Sequence, residues 1–431
     1  MSEAGIAQAQ AGPGAGTPDQ PVRANERLVS LDLIRGVAVL GILFANITAF
    51  GQSSSAYFWP PAIEGGATAA DKAIWFFQLV LVDHKFRGLF SLLFGAGIYL
   101  FMERAWARGS GILLQARRLG WLLVFGLVHY FLIWTGDILA AYAVTGFWSL
   151  LLLGKTAQSQ WRWGMGLYFA GLLFMVFAMA ANIAAERVPA IQAQMSAEQR
   201  ESIANAGANT RREAHEEMLV YRDRSYGQIV QHVASEKAGD LLGEVLIVPL
   251  TETLGLMLIG MALYRRGFFS GEWDPAKMRR WGWIGVIGGA LMTVPFALWP
   301  LLTGFPFMIT VSSFNAFARL GQLPMVLGIA ALLVVHAPTL AATSVGGRLV
   351  ATGRTAFSNY LGTSILLLFV FHGWAIGLVG RLHRPELLLI VLGVWLLMLL
   401  WSKPWLARFR YGPLEWLWRC LTYGKVFPLR R

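Results

Sequence analysis

The chain has 431 residues, of which 56% are hydrophobic and only 14% are charged. Soluble domains usually carry about 25% charged residues, so this composition excludes an ordinary soluble enzyme. The net charge of +12 does not indicate nucleic-acid binding, because the basic residues lie in short stretches between apolar runs rather than on one polar domain. The one cysteine, Cys420, excludes an intramolecular disulfide and cannot form a zinc site alone. We therefore expect no nucleic-acid partner and no bound metal.

Residues 1–26 are rich in Ala, Gly, Pro and Gln, which predicts a disordered tail rather than a cleavable signal peptide. The first apolar run, at 31–50, is long enough to span a bilayer. The next, at 72–82, is too short to cross and predicts an interfacial or re-entrant piece. Further spanning helices are predicted at 87–103, 119–134, 138–153, 163–184, 243–264, 281–301, 319–336, 356–378 and 386–401.

The predicted fold is all-α, a polytopic transmembrane bundle of about ten helices with an interfacial C-terminal helix. Two halves of about five helices each, 27–184 and 243–403, flank a polar insertion at 185–242. Between positions 186 and 240 the insertion carries nine acidic and seven basic residues, and we expect a charged helical excursion over the outer surface. In the last segment, 404–431, Trp and Leu alternate with Arg, which is typical of a helix lying in the headgroup layer.

Charge placement predicts the orientation of the bundle. The segments 103–118, 155–162 and 265–280 and the C-terminus are basic, and ten crossings place all of them on the side of the N-terminus. By the positive-inside rule that side is the cytoplasm, so both termini are expected there. One outer loop disagrees, because it contains Arg381 and Arg384. The lipid bilayer is the first expected partner.

Ionisable residues inside apolar runs are costly, so they are the best pointers to function, although polar residues also hold helices together. On the first helix Asp32, Arg35 and Asn46 share one face, and Asp32 and Arg35 can pair at i,i+3. Structural pairing and binding of a phosphate-bearing donor by Arg35 stay open as interpretations.

A second cluster is His84-Lys85-Phe86-Arg87, in which three potential cations adjoin Asp83 and need a compensating charge. Interfacial snorkelling would explain Lys85 and Arg87, whereas a neutral His84 could act as a general base. Glu252 is predicted near the middle of the bilayer and is difficult to explain as lipid-facing.

His129 and Asp137 are predicted near the outer ends of two consecutive helices. Asp137 could cap the following helix and His129 could be a core histidine, or the two could orient and activate each other as a catalytic base requires. Arg354 and Asn359 begin one of the later helices at the inner side, and His372 lies near its outer end. A polar passage from an inner anion-binding mouth to an outer chamber would account for these positions.

Several motifs support a family resemblance. They are SLDLIRG at 30–36 with GIL at 41–43 and Asn46, KF at 85–86, LFSLLFG at 89–95, GLVH at 126–129, GDIL at 136–139 with Tyr142, GR at 353–354 with NYL at 359–361, and GPLEWLWR at 412–419. In number and order they resemble the YeiB family (domain of unknown function 418), which is found in bacterial inner membranes. The resemblance implies an inner-membrane location, and it covers nearly the whole chain beyond the tail.

The YeiB family in turn distantly resembles the transmembrane acyltransferases, which carry an acyl group from cytoplasmic acyl-CoA to a sugar across the membrane with a central histidine. The resemblance implies a similar reaction, with acyl-CoA as co-substrate, no permanently bound cofactor, and an envelope glycan or another small molecule as acceptor. The catalytic candidates are His129, Asp137 and His84. The candidates for donor or substrate binding are Asp32, Arg35, Asn46, Lys85, Arg87, Glu252, Arg354, Asn359 and His372.

Two other functions stay open from the residues. One is a permease for a small anion or metabolite, in which Glu252 and Lys85 would line the path. The other is a non-catalytic scaffold whose insertion binds a partner.

Overall fold

The computed structural model describes residues 28–431, so the predicted tail at 1–26 lies outside the described residues. Within that range the secondary structure is helical. Eight helical stretches are long and apolar enough to cross a membrane, and two shorter apolar helices, Leu139–Leu150 and Ala356–Phe371, accompany them. The chain is a multi-pass membrane protein, and the prediction of an all-α bundle with about ten spanning helices is confirmed.

The helices follow one another with short connections. In chain order they are α1 (Val29–Gly51), α2 (Ser54–Phe58), α3 (Ala69–Leu81), α4 (Lys85–Trp106), α5 (Ile112–Leu132), α6 (Leu139–Leu150), α7 (Ala157–Arg187), α8 (Pro189–Gln192), α9 (Ala197–Asp223), α10 (Tyr226–His232), α11 (Ala238–Val248), α12 (Leu254–Arg265), α13 (Pro275–Leu302), α14 (Phe307–Asn315), α15 (Gln322–Ala342), α16 (Ser344–Arg354), α17 (Ala356–Phe371), α18 (Arg384–Arg408) and α19 (Pro413–Tyr423). Wider π-helical turns at Val233–Lys237 and Pro249–Thr253 join α10, α11 and α12 into one continuous helical stretch.

The first helix, α1, lies at the centre of the bundle, where it packs against α4, α15, α16, α17 and α18. Its contact with α16 is close enough to require glycine on both helices. A Cβ added at Gly36 would lie 2.1 Å from the carbonyl oxygen of Leu349, and one added at Gly353 would lie 1.8 Å from that of Asp32. This contact brings Arg35 and Arg354, each next to one of these glycines, to the same end of the bundle.

The short apolar segment predicted at 72–82 forms α3, which is followed directly by α4. A capping box between Thr68 and Asp71 begins α3. The two helices are separated at His84, whose φ of 65° is left-handed and costs a non-glycine residue roughly 1–2 kcal/mol. The break turns Asp83, His84 and Lys85 into the protein interior, where all three are buried.

The insertion predicted at 185–242 is helical, but its ends do not coincide with helix ends. α7 continues to Arg187, and the stretch that begins at Tyr226 runs without a loop to Arg265. Its longest helix, α9, begins with a capping box at Ser196 and contacts α2. The part of the bundle where α2 contacts α9 is named the insertion end. The opposite part, where α16 and α19 lie, is the α19 end.

Arg384, an exception to the predicted charge asymmetry, is buried and only 2% exposed. Its guanidinium donates to the Gln78 side chain at 2.8 Å and to the carbonyl oxygens of Ala56 at 2.8 Å and Tyr57 at 3.0 Å. Its backbone N–H donates to Asp71 at 2.8 Å. Arg384 therefore joins α18 to α2 and α3, and its position follows from tertiary packing rather than from the sidedness of its loop.

The C-terminal segment includes one helix, α19, that is docked on the bundle. The Trp418 indole donates to the Arg118 carbonyl oxygen at 2.9 Å, and the Arg118 guanidinium lies 4.4 Å from the Trp418 ring centroid. The Glu415 carboxylate accepts hydrogen bonds from the backbone of Phe357 at 2.8 Å and of Ser358 at 3.1 Å, at the start of α17. Burial raises the pKa of Glu415, and its bonds to Ser358 oppose that effect.

Candidate functional site

His129 and Asp137 form a buried pair between α5 and α6. The His129 Nδ1 lies 2.8 Å from Asp137 Oδ1, and both side chains are fully excluded from solvent. The other carboxylate oxygen, Oδ2, accepts the backbone N–H of Ala140 at 2.7 Å in the first turn of α6. Asp137 thus caps the helix and contacts the histidine at the same time, while a catalytic role of the pair stays a prediction.

The close contact between α5 and α6 depends on a glycine one turn before the histidine. A Cβ added at Gly126 would lie 2.4 Å from the Ala140 nitrogen and 2.9 Å from Asp137 Oδ2. Any larger residue would push α6 and its capping carboxylate away from α5. The GLVH and GDIL motifs therefore work as one unit, in which Gly126 makes room for the contact between His129 and Asp137.

The second ring nitrogen of His129, Nε2, is buried and has no hydrogen-bond partner among the described residues. A carboxylate accepts hydrogen bonds, so the contact with Asp137 places a proton on Nδ1, and in a neutral ring Nε2 would then carry the lone pair. Most buried polar atoms are satisfied, and an exception calls for an explanation. A neutral histidine oriented by a carboxylate, with an open Nε2, has the arrangement of a general base.

Among the cavities within the described residues, three matter for this site, and the first is the central cavity, with a volume of about 220 Å³. Its walls are mainly apolar and aromatic. Ile138, Tyr142 and Tyr360 line it close to the His129–Asp137 pair, which we call the dyad. The Tyr360 ring centroid is 5.2 Å from that of His129. The Tyr360 side chain therefore lines the central cavity and also contacts His129.

The second cavity, which we call the arginine mouth, has a volume of about 290 Å³ and lies at the α19 end. It shares Arg35, Arg118, Arg354, Glu415 and Trp418 with the central cavity, so the two cavities adjoin. Asp32 and Glu415 are the acidic residues among its described lining. The arginines that line it are Arg35, Arg104, Arg118, Arg354, Arg410 and Arg419.

This excess of arginine gives the mouth a strongly positive field, which suits an anionic ligand with several phosphate oxygens. Among these arginines, Arg35 pairs with the Asp32 carboxylate at 2.8 Å. The predicted pairing of these two residues is therefore observed. Arg35 also keeps 29% of its side-chain surface exposed, so pairing does not prevent it from facing the mouth.

The third cavity, which we call the insertion chamber, has a volume of about 140 Å³ and lies at the insertion end. It is lined by Trp134 beside the dyad, by Glu217 and Tyr221 of α9, and by His372. The Trp134 ring stacks on Phe50 with centroids 3.9 Å apart, and its centroid is 6.3 Å from that of His129. His129 is thus adjacent to wall residues of both the chamber and the central cavity.

The predicted cluster at 84–87 forms a different site, centred on Glu252. The Glu252 carboxylate pairs with Arg87 at 2.7 Å and with Arg319 at 3.0 Å, and it accepts the Gln322 amide at 2.6 Å. His84 bonds the Phe314 carbonyl through Nε2 at 3.0 Å and Arg87 through Nδ1 at 3.2 Å. Both ring nitrogens of His84 are therefore engaged, and this geometry does not support the predicted role as a base.

Three further predicted residues are also held in structural contacts or lie away from the cavities. The ammonium of Lys85, predicted to snorkel, is fully buried and donates to the Leu79 carbonyl oxygen at 2.6 Å. The Asn359 amide bonds Thr352, Thr355, Ser402 and Trp401, as expected of a link between helices. Asn46 is half-buried and lines none of the three cavities defined above.

Several residues at these sites were missed in the sequence. Arg319 is the first residue of the span predicted at 319–336, and the criterion that identified Glu252 would have identified it as well. The contributions of Trp134, Tyr221 and Glu217 carried no signal, because aromatic residues are common in this chain and Glu217 stands among other acidic residues on α9. Arg118 was assigned to a basic cytoplasmic loop, although it lines two cavities.

The comparison with known proteins identifies the family. A family model described as "Protein of unknown function (DUF418)" matches residues 263–425. The uncharacterized protein YeiB of Escherichia coli (strain K12) is 30% identical over 408 residues, which cover 94% of this chain and 98% of the relative. This chain belongs to the YeiB-like DUF418 family.

Another relative in the family is the uncharacterized protein YxaH of Bacillus subtilis (strain 168), 29% identical over 434 residues, with 96% of this chain and 98% of the relative covered. An uncharacterized 39.9 kDa protein in the amylase 3' region of Bacillus acidopullulyticus is 26% identical, with 95% and 97% covered. No solved structure matches the chain.

Proposed function

We propose that this DUF418 protein is a transmembrane acyltransferase that moves an acyl group from a cytoplasmic acyl-CoA to an extracytoplasmic acceptor such as an envelope glycan. One observation carries the proposal: a buried histidine, oriented by a carboxylate, has an unpartnered Nε2 and lies between wall residues of two cavities. A residue with only a structural role would be expected to use both nitrogens, as His84 does.

The arrangement suits base catalysis of acyl transfer. His129 Nε2 takes the proton of an acceptor hydroxyl, and the oxygen bonds to the thioester carbonyl carbon. The carbon–sulfur bond then breaks, and the leaving thiolate of CoA takes the proton from the imidazolium. Asp137 holds the ring in the required tautomer and stabilises the positive charge that forms on it.

The donor would enter from the α19 end, which we propose faces the cytoplasm of a bacterial inner membrane. Its phosphates would bind in the arginine mouth, because Arg presents paired donors to phosphate oxygens. Its thioester arm would lie in the central cavity, whose walls include Phe90, Leu93 and Phe94. The acceptor would approach from the insertion end. Charged groups at both ends of the bundle are required by such a reaction, in which two polar substrates meet inside a membrane.

The test is turnover of radiolabelled acetyl-CoA by the purified full-length protein in lipid nanodiscs, measured as hydrolysis and as transfer to an envelope-glycan extract. We expect His129→Ala to lower both rates by about 10²–10⁴-fold, the usual contribution of a positioned base. The matched control is His336→Ala, which removes an exposed histidine of α15. Thermal unfolding should show that both variants are folded. Wild-type protein without turnover, or unchanged turnover in His129→Ala, would contradict the proposal.

A permease for a small anion is the second candidate, and the succession of three cavities favours it. The structure gives less support to the lining residues expected for it, because Glu252 and Lys85 are engaged in packed contacts and line none of those cavities. Uptake of labelled inorganic phosphate or acetate into sealed liposomes containing the protein would test it. Uptake at the rate of protein-free liposomes would count against transport of these anions.

A further inference from the structure

We propose that the insertion chamber binds a neutral, hydroxyl-rich ring, and that Glu217 of α9 is its anchoring residue. The inference rests on the proposed function, because that ring would be the acceptor of the acyl group. It goes beyond the proposed function by assigning the acceptor site to the helical insertion.

The chamber is built where the insertion meets the bundle. The Glu217 carboxylate accepts the Ser54 hydroxyl at 2.9 Å and lies 3.3 Å from the Ser54 backbone nitrogen, so α2 holds it in place. The backbone N–H of Gly373 donates to the Tyr221 carbonyl oxygen at 2.9 Å, which fixes α9 against the end of α17. A carboxylate has about four acceptor sites, so Glu217 can accept further hydroxyl groups.

The charges of the chamber disfavour an anionic ligand. Lys237 is the basic residue among its described lining, and it pairs with Asp240 at 3.7 Å. Lys237 also attracts the Glu217 carboxylate, but the described lining holds two carboxylates, Glu217 and Asp240, against this one lysine. An anion would meet these carboxylates in a partly dehydrated space and be repelled. In contrast, the arginine mouth at the other end is rich in cations.

The remaining walls suit a ring with hydroxyl groups at its edge and C–H groups on its faces. The Tyr221 and His372 rings are 5.0 Å apart, and Phe50 stacks on Trp134 at 3.9 Å, so aromatic faces line the chamber. His372 Nδ1 is buried and has no hydrogen-bond partner among the described residues. Burial lowers the pKa of His372 to about 4, so near neutral pH the ring carries no charge and can bond a hydroxyl.

The position of the chamber connects this ligand to the chemistry. Trp134 lines the chamber and is also the aromatic neighbour of His129 on this side. A ring bound against Trp134 would lie one side chain away from His129, and one of its hydroxyls would have to reach Nε2 past that side chain. The other hydroxyls would remain with Glu217 and His372, and this arrangement would select the hydroxyl that reacts.

The first test measures binding without turnover, by calorimetry of the purified full-length protein in nanodiscs. The probes are methyl glycosides of glucose, galactose, mannose and N-acetylglucosamine, with glucose 6-phosphate as the anionic comparison. We expect at least one neutral glycoside to bind. Glucose 6-phosphate, which can also bind in the arginine mouth, should displace the bound glycoside only weakly. Glu217→Gln should weaken binding by about 10- to 100-fold, because a hydrogen bond to a charged group is lost. The matched control Glu216→Gln changes an exposed neighbour on α9 and should leave binding unchanged.

The second test separates this inference from the proposed function. With the bound glycoside as acceptor, Glu217→Gln should raise its KM about tenfold or more, whereas Glu216→Gln should leave this KM unchanged. Hydrolysis of acetyl-CoA without acceptor is measured beside the transfer reaction. His129→Ala should abolish both reactions and keep glycoside binding. Glycoside binding without any acyl-CoA turnover would overturn the proposed function and leave the binding site standing. Binding of no neutral glycoside, or equal effects of the two Glu→Gln variants, would overturn the inference.

Discussion

Two buried histidines in this protein, His84 and His129, have the same side chain and opposite surroundings. His84 lies at the break between α3 and α4, where Phe314 and Arg87 occupy its two ring nitrogens. His129 is held by Asp137 through one nitrogen only. The polar groups of the Glu252 cluster around His84 bond to one another, whereas the dyad adjoins wall residues of two cavities.

The comparison shows that burial of an ionisable group is not by itself a sign of catalysis. A buried ion-pair network can serve to fix helices in one arrangement, and the Glu252 network joins α4 and the turn before α12 to Arg319 and α15. What distinguishes His129 from His84 is an Nε2 atom that has no partner among the described residues and lies near Trp134 and Tyr360, which line two cavities. The predictions below test this difference, from the largest expected effect to the smallest.

The largest effect is expected from Asp137→Asn. An asparagine of the same shape can still cap α6 but no longer fixes the tautomer or stabilises the imidazolium, so acetyl-CoA turnover should fall by about 10³–10⁴-fold. Thermal unfolding should change little, because the hydrogen bond to Ala140 can be kept. Turnover within tenfold of wild type would show that His129 is a core histidine without a catalytic role.

The second-largest effect is expected on the stability of the Glu252 cluster that surrounds His84. Glu252→Gln should lower the free energy of unfolding by about 3–5 kcal/mol, because Arg87 and Arg319 lose the carboxylate that both of them contact. Thermal unfolding in detergent measures it. The control is Glu236→Gln, which removes an exposed carboxylate that contacts His232 at 3.1 Å and should have little effect. Equal stability of the two variants would show that the network does not hold the helices together.

His84→Asn tests the closed site directly. Asparagine tolerates the left-handed backbone at this position but is too short to keep both contacts of the ring. We expect a loss of about 1–2 kcal/mol in the free energy of unfolding, with acetyl-CoA turnover within a few-fold of wild type. A loss of turnover similar to that of His129→Ala in a folded variant would reverse the assignment of the two histidines.

The sequence was sufficient to predict the helical bundle because twenty-residue apolar runs have few alternatives in a membrane. It also pointed to His129 and Asp137, which the structure brings into contact, and to Arg35 and Arg354, which line one cavity, while their roles stay predictions. It could not show their contacts, which depend on side chains far apart in the chain. The close approach of α1 and α16 at Gly36 and Gly353 brings the two arginines together, and no local pattern reveals that contact.

The wrong or incomplete predictions have a common physical cause. A charge in an apolar run indicates that some partner exists, but the partner decides whether the residue is structural or available. Glu252 and Arg384 are satisfied by residues from several helices, including Arg319 and Gln78. The sequence predicted an outer chamber but not the residues that line it. Its carboxylate, Glu217, belongs to the insertion, whose many charges are typical of a helix exposed to solvent.

The smallest effect concerns the pH dependence of stability through His372. Burial lowers its folded-state pKa to about 4, whereas an unfolded histidine titrates near 6.5. Between these two values the unfolded state binds more protons, so this contribution to stability is present above pH 6.5 and is lost as the pH falls towards 4. His372→Gln should therefore flatten the pH dependence of Tm in this window by about 2 °C at most. The exposed His336→Gln serves as the control. Parallel curves for wild type and His372→Gln would mean that the ring nitrogen is accessible to water, and the chamber would then lack the dehydrated wall that its selectivity requires.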